Sequence, residues 1–331
     1  MSRAAAGIMM RLLCWLALLA AMTASTVSAE LGAPVARPGQ QILQVGPGRP
    51  FPRPSAAARV ARDGAAVEIY AGDYEGDVAV WRQNDLTLRG VGERPRLRAA
   101  GKAAEGKAIW VIKGDRVTVE NLELSGTRVP SHNGAAIRAE GVGLTIRGCR
   151  LHHNEMGLLT NPSPNSVIVI EDSEIDHNTT DTERHGRLGH NIYVHRARSF
   201  LLRNSHVHGA RNGHQVKTRA RHNEIRDNRI LDEEGAASFL LDISEGGHAE
   251  VTGNRFQQSA RAENRTAIAF AGEARDRSSP DQALRVQGNT FINEGGAATF
   301  VRNHSSTPAL LKNNQLPARG VTPLRGPGEV H

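Results

Sequence analysis

Leu144-Thr-Ile-Arg-Gly-Cys-Arg-Leu-His-His-Asn154 alternates apolar and polar side chains, breaks at Gly148 and turns apolar again at Leu151. The same phrase returns as Val117-Thr-Val-Glu-Asn-Leu-Glu-Leu124 and as Ala249-Glu-Val-Thr-Gly-Asn-Arg-Phe256. A period of two marks strand. Its recurrence marks a repeat architecture, in which one unit buries its apolar face only against its neighbours. The small or amide position of the unit falls at Leu122, Cys149, Ser173, Ser205, Asn223, Asn254, Asn289 and Asn314. An apolar residue follows two places on, at Leu124, Leu151, Ile175, Val207, Ile225, Phe256, Phe291 and Leu316. The steps run from 18 residues (205 to 223) to 35 (254 to 289), too irregular for leucine-rich or propeller repeats. Helical solenoids are excluded by the scarcity of long helical patterns. What fits is a coiled β-solenoid with loops of varied length, its asparagines stacked at bends and Cys149 a small buried filler.

Outward from these repeats the chain divides into four parts. Arg3 and Arg11, the apolar run Leu12–Met22 and the small residues ending at Ala29 have the build of a cleavable secretory signal over residues 1–29. Residues 30–62 read as a linker and an N-terminal cap, with Ser55 as N-cap of a short alanine-rich helix reaching Arg62. Residues 63–316 hold the solenoid, and the Pro/Gly-rich residues 317–331 read as a flexible tail. Export to the periplasm or beyond is expected, as a monomer without membrane insertion of the mature chain. Two polar insertions, Asn178–Leu188 and Gly272–Gln282, are candidate groove walls.

Composition narrows the partner. The formal charge is +7, and removing a signal with two arginines and no acid leaves 7 − 2 = +5. An anionic partner suits this charge. Aromatic residues are only 4% of the chain, too few to stack bases along a strand. An exported basic protein with little stacking equipment points to an anionic polysaccharide rather than nucleic acid. The mature chain keeps one cysteine, Cys149, so burial and hydrogen bonds must hold the fold without an internal disulfide.

The chemistry concentrates in three successive turns: Gly189-His-Asn-Ile-Tyr-Val-His195, Gly213-His-Gln-Val-Lys-Thr-Arg-Ala220 and Ala237-Ser-Phe-Leu-Leu-Asp-Ile-Ser244. With Ile192, Val194, Val216, Thr218, Leu241 and Ile243 inward, Asn191, Tyr193, His195, Gln215, Lys217, Arg219, Leu240 and Asp242 point outward. Stacking the strands predicts a column of Tyr193, Lys217 and Leu240 beside one of His195, Arg219 and Asp242. Such a set suits abstraction of the proton next to a uronic-acid carboxylate, with cations neutralising the dianion that forms. Lys217 and Tyr193 are the base and acid candidates, and Arg219 the partner of the substrate carboxylate. His195 and Asp242 orient that arginine or share in proton transfer. Asn191, His190, His214, Gln215 and Arg138 are the expected substrate-binding residues. Ten of the 14 histidines lie between His152 and His222. Even so, no metal site is expected, because His152-His153 and His206-Val-His208 fall at bends with no carboxylate or cysteine ligand set beside them.

The signal, Val45-Gly-Pro-Gly48 with its alanine-rich cap, Ala71-Gly-Asp-Tyr74 and the three repeats quoted first resemble the pectin-lyase-like right-handed parallel β-helix proteins, over about Val45 to Leu316. The resemblance implies an all-β right-handed parallel β-helix with an N-terminal capping helix, and polysaccharide bound along an outer groove. The superfamily includes lyases, hydrolases, epimerases and adhesive proteins without activity. This chain has no paired-aspartate hydrolase signature, no Asp-Pro-His-Asp of the alginate epimerases and no acidic calcium cluster of pectate lyases. Lys217 and Arg219 resemble the basic element of chondroitinase-B-like lyases, with His214 and Gln215 where calcium-binding glutamates would precede it. No cofactor is expected, although Asp242 with Glu245 leaves calcium open. The reading is a secreted or periplasmic polysaccharide lyase. A uronate C5-epimerase and a non-catalytic polysaccharide-binding β-helix are the alternatives.

Overall fold

The computed structural model of the chain describes residues 39–186 and 189–331. The expected signal, and the linker as far as residue 38, lie outside the described residues. Three parallel sheets of twelve, ten and nine strands form a parallel β-helix. One coil shows the order of visits: Val117–Glu120 in the twelve-stranded sheet, Glu123–Ser125 in the nine-stranded, Ala135–Ala139 in the ten-stranded, then Leu144–Arg147 beside Val117–Glu120 again. Stacking in register turns each apolar position of the repeat into a column. Val119, Ile146, Ile170, Leu202, Ile225, Val251, Val286 and Leu311 form one, all essentially without solvent contact. Leu124, Leu151, Ile175, Val207, Ile230, Phe256 and Phe291 form a second. Parallel strands buried in this way read as regular apolar positions, which is why the repeat was visible.

The second column corrects the alignment at one place. Asn228, not Asn223, occupies the bend before Ile230. Its Oδ1 accepts the Ser205 N–H at 2.9 Å, and its own N–H goes to Asn254 Oδ1 at 3.0 Å. The ladder runs on through Asn289 and Asn314 (2.8 and 3.0 Å). Asn223 sits one strand earlier, bonded to Thr218 Oγ1 and to the Ala220 carbonyl. Asn223-Glu-Ile225 and Asn228-Arg-Ile230, five residues apart, carry the same pattern, and the bend belongs to the second. With Asn228 in place the ladder steps span 23 to 35 residues, as the Ser205–Asn228 and Asn254–Asn289 bonds show. Cys149 is fully buried in this column, its N–H on Ser173 Oγ, and burial pushes its thiol up to about 12.

Both ends depart from the sequence reading. The capping helix spans Pro54–Ala58, with Pro54 in the first turn and Arg53 as an N-cap that makes no side-chain bond. Ser55 is therefore inside the helix, its N–H on Asp77 Oδ2 at 3.0 Å. Proline, with no N–H to satisfy and φ already set, opens the helix, so the N-cap position expected of Ser55 falls to Arg53. Ala57 and Ala58 are buried against the first strands of the solenoid. The solenoid itself starts earlier than residue 63, since Ile42–Val45 pairs with Ala66–Tyr70. It also ends later. Residues 317–331, read as a flexible tail, add Val321–Arg325 beside Ala298–Asn303 and Gly328–Val330 beside Ala309–Lys312. Pro323 is tolerated because Val321–Arg325 is the last strand of its sheet. Among the described residues no helix is long and apolar enough to cross a membrane.

Candidate functional site

The three chemistry-rich turns are neighbouring strands of the ten-stranded sheet: Ile192–Val194, His214–Thr218 and Phe239–Ile243. Gly189 and Gly213 let the coils approach here, since a Cβ on Gly213 would collide with the Gly189 carbonyl. The register stacks Tyr193 on Lys217 and Lys217 on Asp242. Asp242 thus joins the Tyr193 column, not the Arg219 column as expected. A slip of two residues leaves every side chain on its own face, so alternation does not detect it; each coil also turns two consecutive residues inward at a corner, Asn191-Ile192, Gln215-Val216 and Leu240-Leu241. Leu240 is accordingly core.

The same corner overturns two expected substrate contacts. Asn191 and Gln215 have no solvent exposure and belong to an internal amide ladder. Asn191 Oδ1 accepts the Asn178 N–H at 3.1 Å, and Asn191 Nδ2 donates to Gln215 Oε1 at 2.6 Å and to the His208 carbonyl at 2.7 Å. Their role is to hold coils together. His190 and His214 are also nearly closed off. His190 Nδ1 accepts the His214 N–H at 3.0 Å, which places the proton of the neutral ring on Nε2. Burial, then His214 and Lys217, hold His190 well below the usual histidine value, so it stays neutral. Arg138 stands in the Tyr193 column with Leu159 between them, its guanidinium on Asn161 Oδ1 at 2.6 and 3.1 Å.

On the outer face the remaining residues converge. Asp242 Oδ2 accepts Lys217 Nζ at 2.9 Å and Ser244 Oγ at 2.7 Å, and lies 3.3 Å from His214 Nε2. Burial alone would raise this carboxyl, but His214, Lys217 and Ser244 bring it far below the carboxylate range. Lys217 also donates to Glu273 Oε1 at 2.7 Å. Burial would lower Lys217, yet Asp242 and Glu273 hold it above the usual lysine value. It is cationic here and unsuited to the role of base. Arg219 donates from Nε to the Tyr193 hydroxyl at 2.9 Å, from Nη1 to Glu245 at 3.0 Å and from Nη2 to Glu273. His195 stacks on Tyr193 at 5.6 Å between centroids, and burial, Arg219 and Arg196 lower its pKa.

Glu273 is the residue that sequence reasoning missed. It opens the Gly272–Gln282 insertion, anchored by its N–H on the Ser244 carbonyl at 2.8 Å, so this insertion does flank the site. Its place after the coil that carries Asp242 was the available signal. The donor chemistry does not fit calcium at Asp242 and Glu245: the first carboxylate is taken by Lys217, Ser244 and His214, the second by Arg196 and Arg219. The histidines expected at bends lie in or just after strands of the nine-stranded sheet, Arg150–His152 and His206–His208 among them, and they do have carboxylates beside them, contrary to the sequence reading. Asp176 lies with His152 and His153, Glu174 with His206 and His208, and Glu233 with His177 and His208.

A comparison with protein families matches residues 107–316 to the family described as right handed beta helix region, which fixes the hand of the coil. No curated protein matches the chain.

Proposed function

We propose that this chain, which belongs to the right-handed β-helix family, is an exported lyase that cleaves a uronate-containing polysaccharide on the Tyr193–Lys217–Asp242 face. One observation carries the reading. Lys217 and Arg219 grip a single carboxylate, that of Glu273, with one oxygen each. A uronate carboxylate of the same shape would fill the same fork once Glu273 moves aside. Pairing with two cations makes the adjacent C5–H acidic, because the charge that develops in the transition state falls on that carboxylate.

In the elimination the C5 proton leaves to a base, its electron pair forms the C4–C5 double bond, and the C4–O bond breaks onto an oxygen that takes up a proton. Proton transfer is assigned to Tyr193, whose hydroxyl is oriented by Arg219 Nε–H and whose ring is packed by His195. Lys217 neutralises charge, and Asp242 with His214 fixes its position.

Binding without turnover is the second reading. It is favoured by the fact that Lys217 and Arg219 are already paired with protein carboxylates. A panel of uronate polymers separates the readings. A lyase gives products that absorb in the ultraviolet through the new double bond. Lys217→Ala and Arg219→Ala should abolish that absorbance while the far-ultraviolet circular dichroism of the β-helix is retained, even where loss of the buried Lys217–Asp242 pair lowers the melting temperature. Exchange of the C5 proton without cleavage would identify an epimerase, and retention of polymer with neither signal would identify a binding protein.

A further inference from the structure

We propose that a second face of the solenoid, on the nine-stranded sheet, holds a divalent transition-metal ion, zinc in the first instance, bound by Glu174, His206 and His208. These residues stand on neighbouring strands, with Glu174 beside His206 and Asp176 beside His208. One donor atom from each of the three lies within 4.8 Å of the other two. Bonds of about 2.0–2.1 Å to a common ion need each side chain to close in by a fraction of that spacing. The two imidazoles, stacked with 17° between their planes, must also rotate so that one nitrogen of each points at the ion.

Two further observations point to a ligand. His208 is nearly buried and lies between two carboxylates, Nε2 at 3.2 Å from Glu174 Oε1 and Nδ1 at 3.0 Å from Glu233 Oε2. One carboxylate as co-ligand and another holding the far nitrogen is the arrangement that orients a metal-bound imidazole. His206, stacked on His208 with centroids 3.9 Å apart, has a buried Nε2 that finds no hydrogen-bond partner among the described residues. An ion pair between His208 and its carboxylates accounts for the first observation and leaves the second without an explanation. A shared metal accounts for both.

Two imidazoles and one carboxylate form a borderline donor set, suited to zinc, nickel, copper or cobalt and poor for calcium or magnesium. Three protein ligands leave a fourth position for water or an external group. Glu174 and the His206–His208 pair belong to successive coils, so the ion would staple these two together, with Glu233 of the next coil holding His208.

The full chain, stripped by chelator and titrated with zinc chloride by calorimetry, should bind one equivalent and gain melting temperature with zinc concentration. Cobalt in its place should give the visible bands of a four-coordinate site. His206→Gln and Glu174→Gln should each abolish the tight equivalent, and Glu233→Gln should weaken it by about 10–100-fold. Lys217→Ala and His153→Gln should bind zinc as the wild type does. The assignment is overturned if the wild type binds no zinc, if His206→Gln and Glu174→Gln bind it unchanged, or if His153→Gln removes it instead.

Discussion

Asn254→Ala tests the amide ladder that ties the coils together. Asn254 is 1% exposed and serves both neighbours. Its Oδ1 accepts Asn228 N–H at 3.0 Å and Asn228 Nδ2 at 2.9 Å, and its Nδ2 donates to the Ile225 carbonyl at 2.8 Å. Truncation does not strand every partner. Asn228 Nδ2 keeps the Leu202 carbonyl at 2.9 Å, and Asn289 Oδ1 keeps the Asn254 N–H at 2.8 Å. The Asn228 N–H and the Ile225 carbonyl lose what the amide supplied. Two such buried groups at about 1–3 kcal/mol each give about 2–6 kcal/mol. For a domain of this size that is a fall in melting temperature on the order of 3–10 °C. Serine refines the test, because Ser173 and Ser205 already fill this column and accept the preceding coil's N–H through Oγ at 3.1 and 3.2 Å. Asn254→Ser should restore the acceptor for Asn228 and recover roughly half of the loss. Circular dichroism melts of the three proteins are sufficient. Equal melting temperatures for wild type and Asn254→Ala, or serine no better than alanine, would refute the reasoning.

Stability should also fall as the solution is acidified from about pH 7 to about pH 5, because His190 titrates near 6.5 unfolded and well below that when folded. In that window the unfolded chain binds a proton that the folded chain refuses, so falling pH favours unfolding. His190→Gln, which can still accept the His214 N–H, should flatten the profile of melting temperature against pH, and an unchanged slope would contradict it. Asp242 acts in a separate window: its depressed pKa gives stability that is present above about 3.9 and lost only in stronger acid. Glu273→Gln removes the charge that competes for Lys217 and Arg219, so the KM or Kd for a uronate oligomer should drop several-fold. A weaker affinity would show that Glu273 supports the substrate rather than standing in its place.

The fold was legible because each coil writes its inward positions as local alternation, and Val119, Ile146 and Ile170 read the same whichever coil they pair with. Columns were harder, since they depend on the length of every intervening loop and corner. Asp242 falls in the Tyr193 column rather than the expected one because a slip of two residues keeps every side chain on its own face, so local alternation cannot detect it. Glu174 is 34 residues from its partner His208 and Glu233 is 25 away, so no local spacing could disclose that array. The electrostatics of stacking nonetheless constrain what can fill these positions. Coils repeat every ~4.8 Å, so cations projecting together from one face must repel unless acids are interleaved. Lys217, Arg219 and Arg196 project together, and the acids that separate them are Asp242 from the strand and Glu245 and Glu273 from beyond strand ends. Acids at strand ends can move without breaking a ladder hydrogen bond. On the proposed reading, a site of this construction would exchange its own carboxylates for those of a uronate chain while the charge balance stays the same.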